Sequence, residues 1–260
     1  MSKKAFHLPK RIIDIHNHLS SDSDGSELVA MMDQAGIETT LIMGTATRGN
    51  HHILPAVRKY PGRLVGGVYA DPRQPAKAID TIKHYHAEGI RVAKLFPNLG
   101  YYPDDDLCRP FFDAVAELKM AVLSHCGWLS PKAGVTAAYY SHPGRFEKVI
   151  RTYPGTIFIL AHMGGIAGFL ETAMLTTRTP NAYADTGPGQ GTWVLEHAGG
   201  LVAGMPPEKL LWASDGVRVP QIIEQHRKAL VKIGFGPHLE KIFHSNARGI
   251  LEKIGAIPKQ

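Results

Sequence analysis

Two spacings of apolar residues alternate along this chain, one typical of strands and one typical of helices. Short apolar runs rich in β-branched residues recur roughly every 25 to 35 residues, and the segments between them repeat their apolar positions at helical spacing. This alternation predicts repeated units of one strand and one helix. The strand candidates are RIIDIHNH at 11, TTLIMG at 39, RLVGGVYA at 63, IRVAKLFP at 90, MAVLSHCG at 120, TIFILAHMG at 156, NAYADTG at 181 and KLLWASDG at 209.

Several intervening segments carry helix boundary signals. Asp24 followed by Glu27 forms a potential capping box, and Gly36 is a potential C-terminal stop. Pro75 suits a first helical turn, and Gly89 follows the end of that helix. Further helices are predicted in CRPFFDAVAELK, RFEKVIRTYPG, VPQIIEQHRKALVKIG and GPHLEKIFHSNARGILEKIG.

Eight strand-helix units in 260 residues predict an α/β fold, a single (β/α)8 TIM barrel spanning 1–260. A doubly wound open sheet is the alternative, but no GxGxxG turn follows the first strand. No linker, low-complexity segment or repeat divides the chain. We therefore expect one domain.

Composition narrows the class of protein. Hydrophobic residues make up 44% and charged residues 20%, as in a soluble globular enzyme, and no apolar run or signal peptide indicates a membrane or secretion. The two cysteines lack CxxC spacing, which fits a reducing compartment. The net charge of +6 is scattered rather than clustered, which argues against nucleic-acid binding. We expect a cytoplasmic protein with a small-molecule substrate, and the sequence leaves open a homo-oligomer.

The first strand candidate raises the question of a metal site. Strand alternation puts Asp14, His16 and His18 on one face and Ile13 and Ile15 on the other. The polar face is either a metal site or the solvent-exposed face of a strand at the edge of a sheet. Because a closed barrel has no edge, we expect the polar face to point into the barrel and the isoleucines to face the helices.

Polar side chains also end other predicted strands. A lone histidine at such a place is more often a buried structural residue, but several at one end of a barrel indicate ligands for zinc, manganese or iron. The residues are His16, His18, Lys94, His125, His162 and Asp215.

These motifs resemble the amidohydrolase superfamily, in its amidohydrolase-related branch of small hydrolases, lactonases and metal-dependent decarboxylases. The resemblance lies in DIHNH, RVAKLFPN, VLSHCG, FILAHMGG, LLWASDG and SNARGIL, and so covers nearly the whole chain. It implies one divalent ion, with zinc favoured over manganese or iron, and His162 as a catalytic or supporting histidine. Asp14 would not be a ligand and would orient the strand 1 site. The implied ligands are His16, His18, His125 and Asp215.

Lys94 has two interpretations under this resemblance. Binuclear members carboxylate a lysine at this strand end, whereas this branch usually pairs a KLHP-like motif with one metal. Here the motif reads KLFP, with Phe96 in place of the histidine. We therefore favour an unmodified Lys94 that contacts substrate or an acidic neighbour over a bridging carbamate.

The favoured reaction is hydrolysis of an amide, cyclic amide or lactone by metal-activated water. Asp215 would accept and return the proton, and His162 would stabilise the oxyanion. The alternative is non-oxidative decarboxylation of a small aromatic or unsaturated acid. Decarboxylase relatives have longer segments after strand 1, whereas here about twenty residues without arginine separate His18 from strand 2. A third possibility is a barrel that binds a ligand without turnover.

Cations and aromatic residues in the loops are candidates for substrate binding. Arg48, Arg218 and Lys94 could hold an anionic substrate, since guanidinium pairs bidentately with carboxylate, or the arginines could be solvated loop residues. The segment 128–144 begins with Trp128 and is expected to form part of the pocket wall or to contact a partner subunit.

Overall fold

The computed structural model describes residues 6–19, 24–129, 137–216 and 219–259. Its centre is one sheet of eight parallel strands in sequential order, which forms a nearly closed barrel. The prediction of a (β/α)8 barrel is confirmed. The strands are β1 Ile12–Asn17, β2 Ile37–Met43, β3 Leu64–Tyr69, β4 Val92–Leu95, β5 Ala121–Ser124, β6 Phe158–Leu160, β7 Ala182–Asp185 and β8 Leu210–Leu211.

Helices follow the strands along the chain. Within the described ranges, no helix is long and apolar enough to cross a membrane. The α-helices are α1 Ser26–Ala35, α2 Ile53–Lys59, α3 Pro75–Ala87, α4 Arg109–Glu117, α5 Glu147–Thr152, α6 Phe169–Arg178, α7 Gln190–His197, α8 Gly199–Val202, α9 Val219–Lys232 and α10 Asn246–Lys253. A π-helical turn, Lys241–Ser245, precedes α10.

Two clusters of buried apolar residues show which face of each strand points to the helices and which face points into the barrel. On β5, Val122 packs with residues of the surrounding helices, whereas Ala121 and Leu123 belong to a separate cluster built from alternate strand residues. That second cluster is the barrel interior, as expected for side chains that fill the lumen of this fold. Helix α10 adds Ile250 and Leu251 to it.

The chain after β8 completes the barrel against β1. The Ile15 N–H donates to the Trp212 carbonyl at 3.2 Å, and the Asp215 N–H donates to the His16 carbonyl at 2.8 Å. These bonds bring the first and last predicted site segments side by side, although about two hundred residues separate them in sequence.

The predicted orientation of the β1 isoleucines is wrong. Ile13 and Ile15 pack in the barrel interior and do not face the helices. The pairing of β1 with β2 is irregular at two places: β2 uses one residue more between the pairs of Ile12 and Ile13, and β1 uses one residue more between the pairs of Asp14 and Asn17. A bulge changes the face to which the following side chains point. The strict alternation assumed for DIHNH therefore does not hold.

Asp14 ties the end of β1 to the chain after β8. Its carboxylate accepts hydrogen bonds from the Ser214 N–H at 3.0 Å, the Ser214 hydroxyl and the Asn17 side-chain amide at 3.1 Å. The His16 N–H also donates to it, at 3.3 Å. Complete burial raises the pKa of Asp14 to about 6, although these bonds favour the ionised form. The role of Asp14 in orienting the strand 1 site stays a prediction.

The predicted start of α1 needs a correction. Its N-cap is Gly25, with a φ of 90°, and no side chain caps the helix. Asp24 instead accepts hydrogen bonds from the Ser26 N–H and hydroxyl. The predicted C-terminal stop is confirmed, because Gly36 adopts a left-handed φ of 69°. Pro75 is confirmed as the first residue of α3.

A buried histidine outside the barrel makes stability depend on pH. His226 on α9 is fully buried, its Nε2 lies 2.7 Å from the Thr192 hydroxyl of α7, and its Nδ1 has no partner. Burial lowers the pKa of His226 to about 4 from the ordinary 6.5. Below pH 6.5 the histidine therefore binds a proton in the unfolded chain, whereas in the folded chain it stays neutral until the pH approaches 4. We expect this histidine to lower the free energy of unfolding by up to about 3 kcal/mol when the pH is decreased from 7 to 4.

Denaturant unfolding of the wild type and His226→Gln across this pH range measures the effect. Glutamine does not titrate, so the stability of the wild type relative to the variant should fall as the pH decreases. Parallel pH profiles for the two proteins would contradict the assignment.

Candidate active site

Three predicted ligands meet at the carboxyl end of the barrel. His16 and His18 come from the end of β1, and Asp215 follows β8. The His16 and His18 Nε2 atoms are 3.3 Å apart, and Asp215 Oδ1 lies 3.4 and 3.5 Å from them. A tetrahedral ion bound at about 2.0 to 2.1 Å separates its ligand atoms by roughly 3.4 Å. The spacing of these three atoms therefore fits a divalent ion.

The hydrogen bonds of the two imidazoles leave the ligand nitrogens free of protons. His16 Nδ1 lies 3.0 Å from Asp185 Oδ2, and His18 Nδ1 lies 3.2 Å from the Met43 carbonyl. Both partners accept, so each Nδ1 carries the proton and each Nε2 presents a lone pair. Burial lowers the pKa of His18 to about 3, and burial with the charge of Lys94 lowers that of His16. Both rings are neutral, as metal binding requires.

Asp215 is ionised and faces the open side of the group. Burial alone would raise its pKa, but the surrounding imidazole groups and the ammonium group of Lys94 together bring the pKa below its ordinary value. Its side chain is 28% exposed. Asp215 has a positive φ of 52°, as does His162 at 56°, a conformation that costs a residue other than glycine about 1 kcal/mol or more. Such backbone strain is frequent at functional sites.

His125 lies beside these three residues but outside their group. Its Nε2 is 3.2 Å from the Trp128 carbonyl, and its Nδ1 is 3.2 Å from His162 Nε2. Its ring nitrogens do not belong to the group of ligand atoms that His16, His18 and Asp215 form. The role of His125 as the fourth ligand stays a prediction.

Lys94 is buried behind the candidate ligands. Its Nζ lies 2.9 Å from His16 Nε2 and 4.8 Å from the centre of the Phe96 ring. Burial lowers the pKa of Lys94 to about 8. Its side chain is not exposed and does not line the adjoining cavity, and its contact with substrate or an acidic neighbour stays a prediction.

A cavity of about 710 Å³ opens next to the candidate ligands. Its volume suits a small organic molecule. Its wall combines apolar and polar side chains with one arginine among the described residues. The lining includes His18, Arg48, Phe96, Leu99, His125, Trp128, His162, Gln190 and Asp215.

Two of the predicted substrate-binding residues line this cavity, and another lies outside the described residues. Arg48 lines this cavity, where its guanidinium donates to the Leu19 carbonyl. Trp128 also lines it and is 65% exposed. Arg218 and residues 130–136 of the predicted pocket loop lie outside the described residues.

Sequence reasoning missed two polar residues of the site. Asp185 ends β7 and is completely buried, and Gln190 begins α7 at the cavity wall. Asp185 could have been found, because it occupies the same position at the end of NAYADTG as the other polar residues do in their strands. No local pattern distinguishes Gln190.

Gln190 attaches α7 to the loop after β5. Its amide accepts from the Trp128 N–H at 3.0 Å and donates to the Trp128 carbonyl at 2.9 Å. We expect Gln190→Leu to raise KM about 5- to 10-fold with little change in kcat, because two exposed bonds contribute on the order of 1 kcal/mol to holding this wall. Steady-state kinetics measures this. Gln225→Leu, on the surface of α9, is the control, and an unchanged KM would contradict the assignment.

Solved structures with the same fold come from several kinds of protein. An uncharacterized TIM-barrel protein from Bordetella bronchiseptica is 17% identical, with coverage of 94% of this chain and 99% of that chain and a TM-score of 0.73. A probable 2-pyrone-4,6-dicarboxylic acid hydrolase from Acinetobacter baumannii, with citric acid bound, is 18% identical (94% and 99% covered, TM-score 0.68). A 5-carboxyvanillate decarboxylase from Novosphingobium aromaticivorans, complexed with manganese and a nitrobenzoic acid, is 16% identical (95% and 96% covered, TM-score 0.65).

These identities show a shared fold. No match was found among curated proteins. The amidohydrolase family model, Amidohydro_2, matches residues 32–252, well over half of the sequence. The chain therefore belongs to the amidohydrolase family.

Proposed function

We propose that this protein is a metal-dependent hydrolase that cleaves an amide, cyclic amide or lactone of a small organic substrate. The observation that supports this most is the group of His16, His18 and Asp215, whose ligand atoms lie within 4.8 Å of one another beside an open cavity. A divalent ion held there, zinc or alternatively manganese or iron, would polarise a carbonyl and lower the pKa of water.

Asp215 is suited to move the proton of the attacking water. Its carboxylate is ionised and partly exposed in the cavity wall. As the oxygen of water bonds to the carbonyl carbon, Asp215 accepts a proton from it. When the C–N or C–O bond breaks, the carboxylic acid returns that proton to the leaving nitrogen or oxygen.

We propose that His162 acts on the oxygen of the substrate. Its ring lines the same cavity and contacts His125 Nδ1 through Nε2 at 3.2 Å. If the carbonyl oxygen of the substrate replaces His125 as the partner of Nε2, an N–H at this position would stabilise the negative charge that develops on that oxygen. Phe96 and Leu99 supply apolar walls.

Isotope labelling tests the reaction. The protein, supplied with Zn²⁺ or Mn²⁺, is incubated with a panel of lactones, cyclic amides and aromatic acids in water enriched in ¹⁸O. Hydrolysis predicts one ¹⁸O atom in the product acid by mass spectrometry. If no compound is hydrolysed and the protein binds neither ion, the proposal is wrong.

Decarboxylation is the second candidate, which the cavity composition supports. Arg48 and the aromatic rings of Phe96 and Trp128 line the same cavity and suit an aromatic carboxylate. In that reaction a C–C bond breaks, carbon dioxide leaves and the ring carbon takes a proton. Carbon dioxide release without ¹⁸O in the organic product would identify it and exclude hydrolysis.

A further inference from the structure

Asp185 is a completely buried carboxylate whose two oxygens bind different parts of the candidate site. Oδ2 lies 3.0 Å from His16 Nδ1. Oδ1 accepts the backbone N–H of His162 at 2.8 Å and that of Gly187 at 2.9 Å. One side chain thus contacts a candidate metal ligand and the turn that carries the candidate catalytic histidine.

We propose that Asp185 is a positioning residue that sets the tautomer of His16 and holds the His162 turn in place. The proposal rests on the metal site of the proposed function. An ionised carboxylate accepts hydrogen bonds and donates none, so it keeps the single proton of the neutral His16 ring on Nδ1. The Nε2 lone pair then faces His18 and Asp215. Carboxylates that orient metal-binding imidazoles commonly act in this way.

The contact on the Nε2 side of the His16 ring also favours the tautomer with the proton on Nδ1. Lys94 Nζ lies 2.9 Å from His16 Nε2. An ammonium group donates hydrogen bonds and accepts none, so it requires an unprotonated Nε2. The Asp185 carboxylate accepts three hydrogen bonds, from His16 Nδ1 and from the backbone N–H groups of His162 and Gly187, and these bonds favour its ionised form.

The second oxygen of Asp185 acts on an unfavourable backbone turn. His162 and Met163 both have left-handed φ values, 56° and 58°. Two such residues in succession are unfavourable and persist only when their surroundings stabilise them. The bond from the His162 N–H to Asp185 is one such contact. The position of the His162 ring therefore depends on the same carboxylate.

Asp185→Asn separates this role from a merely structural one. The asparagine oxygen can still accept from the two backbone N–H groups, which leaves the NH2 group facing His16 Nδ1. The opposite amide orientation would leave two buried N–H groups without acceptors, which is unfavourable. The variant therefore keeps the turn but makes His16 Nδ1 an acceptor, which moves the ring proton to Nε2, where it blocks metal binding.

Two measurements test the inference. In the zinc-free wild type, long-range ¹H–¹⁵N NMR should show His16 with its proton on Nδ1, the signal being assigned by its loss in His16→Gln. In Asp185→Asn the proton should move to Nε2. Titration with Zn²⁺ against a competing chelator should give about 10- to 100-fold weaker binding for Asp185→Asn. Asp104→Asn, which removes a carboxylate paired with Arg145 elsewhere, should keep wild-type affinity.

The outcomes distinguish this inference from the proposed function. A wild-type protein that binds no Zn²⁺ contradicts the metal site, while the NMR measurement still tests the tautomer. A proton on His16 Nε2 in the wild type overturns the inference, even if Asp185→Asn does not fold. A folded Asp185→Asn with unchanged tautomer and Zn²⁺ affinity also overturns it.

Discussion

Asp215→Asn should lower kcat/KM by about 10³-fold or more and weaken metal binding. Asparagine keeps the shape of the side chain and tolerates the left-handed backbone at this position, where φ is 52°. The amide cannot accept the proton of the attacking water, and it replaces a charged ligand by a neutral one. The measurements are steady-state kinetics on the substrate found by the labelling panel and metal content by mass spectrometry.

Asp33→Asn is the control for this prediction. Asp33 is an exposed carboxylate on α1 that pairs with Arg63, and its loss should leave activity and metal content unchanged. An Asp215→Asn protein that retains its metal and more than a tenth of its activity would contradict both roles given to Asp215.

His162→Asn should lower kcat about 10²- to 10³-fold while the bound metal remains. The substitution removes the ring that faces the cavity, and asparagine accommodates the φ of 56° at this position. The ligand atoms of His16, His18 and Asp215 are left intact. Kinetics and metal stoichiometry on the same preparation measure the two effects separately.

The exposed His84 on α3 provides the matched control, His84→Asn, which should behave as the wild type. If His162→Asn loses its metal together with its activity, His162 is a ligand and the division of roles is wrong. If kcat is unchanged, His162 does not act on the substrate.

The barrel could be predicted because its signals are local. Each strand is a short apolar run, and residues such as Gly36 and Pro75 mark helix boundaries within a few positions. The residue types of the site were also visible, since His16, His18 and Asp215 lie at strand ends. Parallel strands in a barrel place these ends at one rim, so their proximity follows from the fold.

The facing of side chains on β1 could not be predicted in the same way. The bulge between Asp14 and Asn17 is defined by pairing with β2, and a strand examined alone shows regular alternation. Likewise, the contacts of His125 with Trp128 and His162 depend on how two loops lie above the barrel. These contacts separate His125 from the other predicted ligands.

The amino-acid sequence was sufficient for the fold class, the strand ends and the kind of chemistry, because periodicity and residue type are properties of short segments. Only the tertiary structure decided which nitrogen of His16 faces the candidate metal site. That choice depends on Asp185, 169 positions away in sequence. Hydrogen bonds between strands of a barrel join residues that no local pattern relates, and in this site they set the proton positions on which metal binding depends.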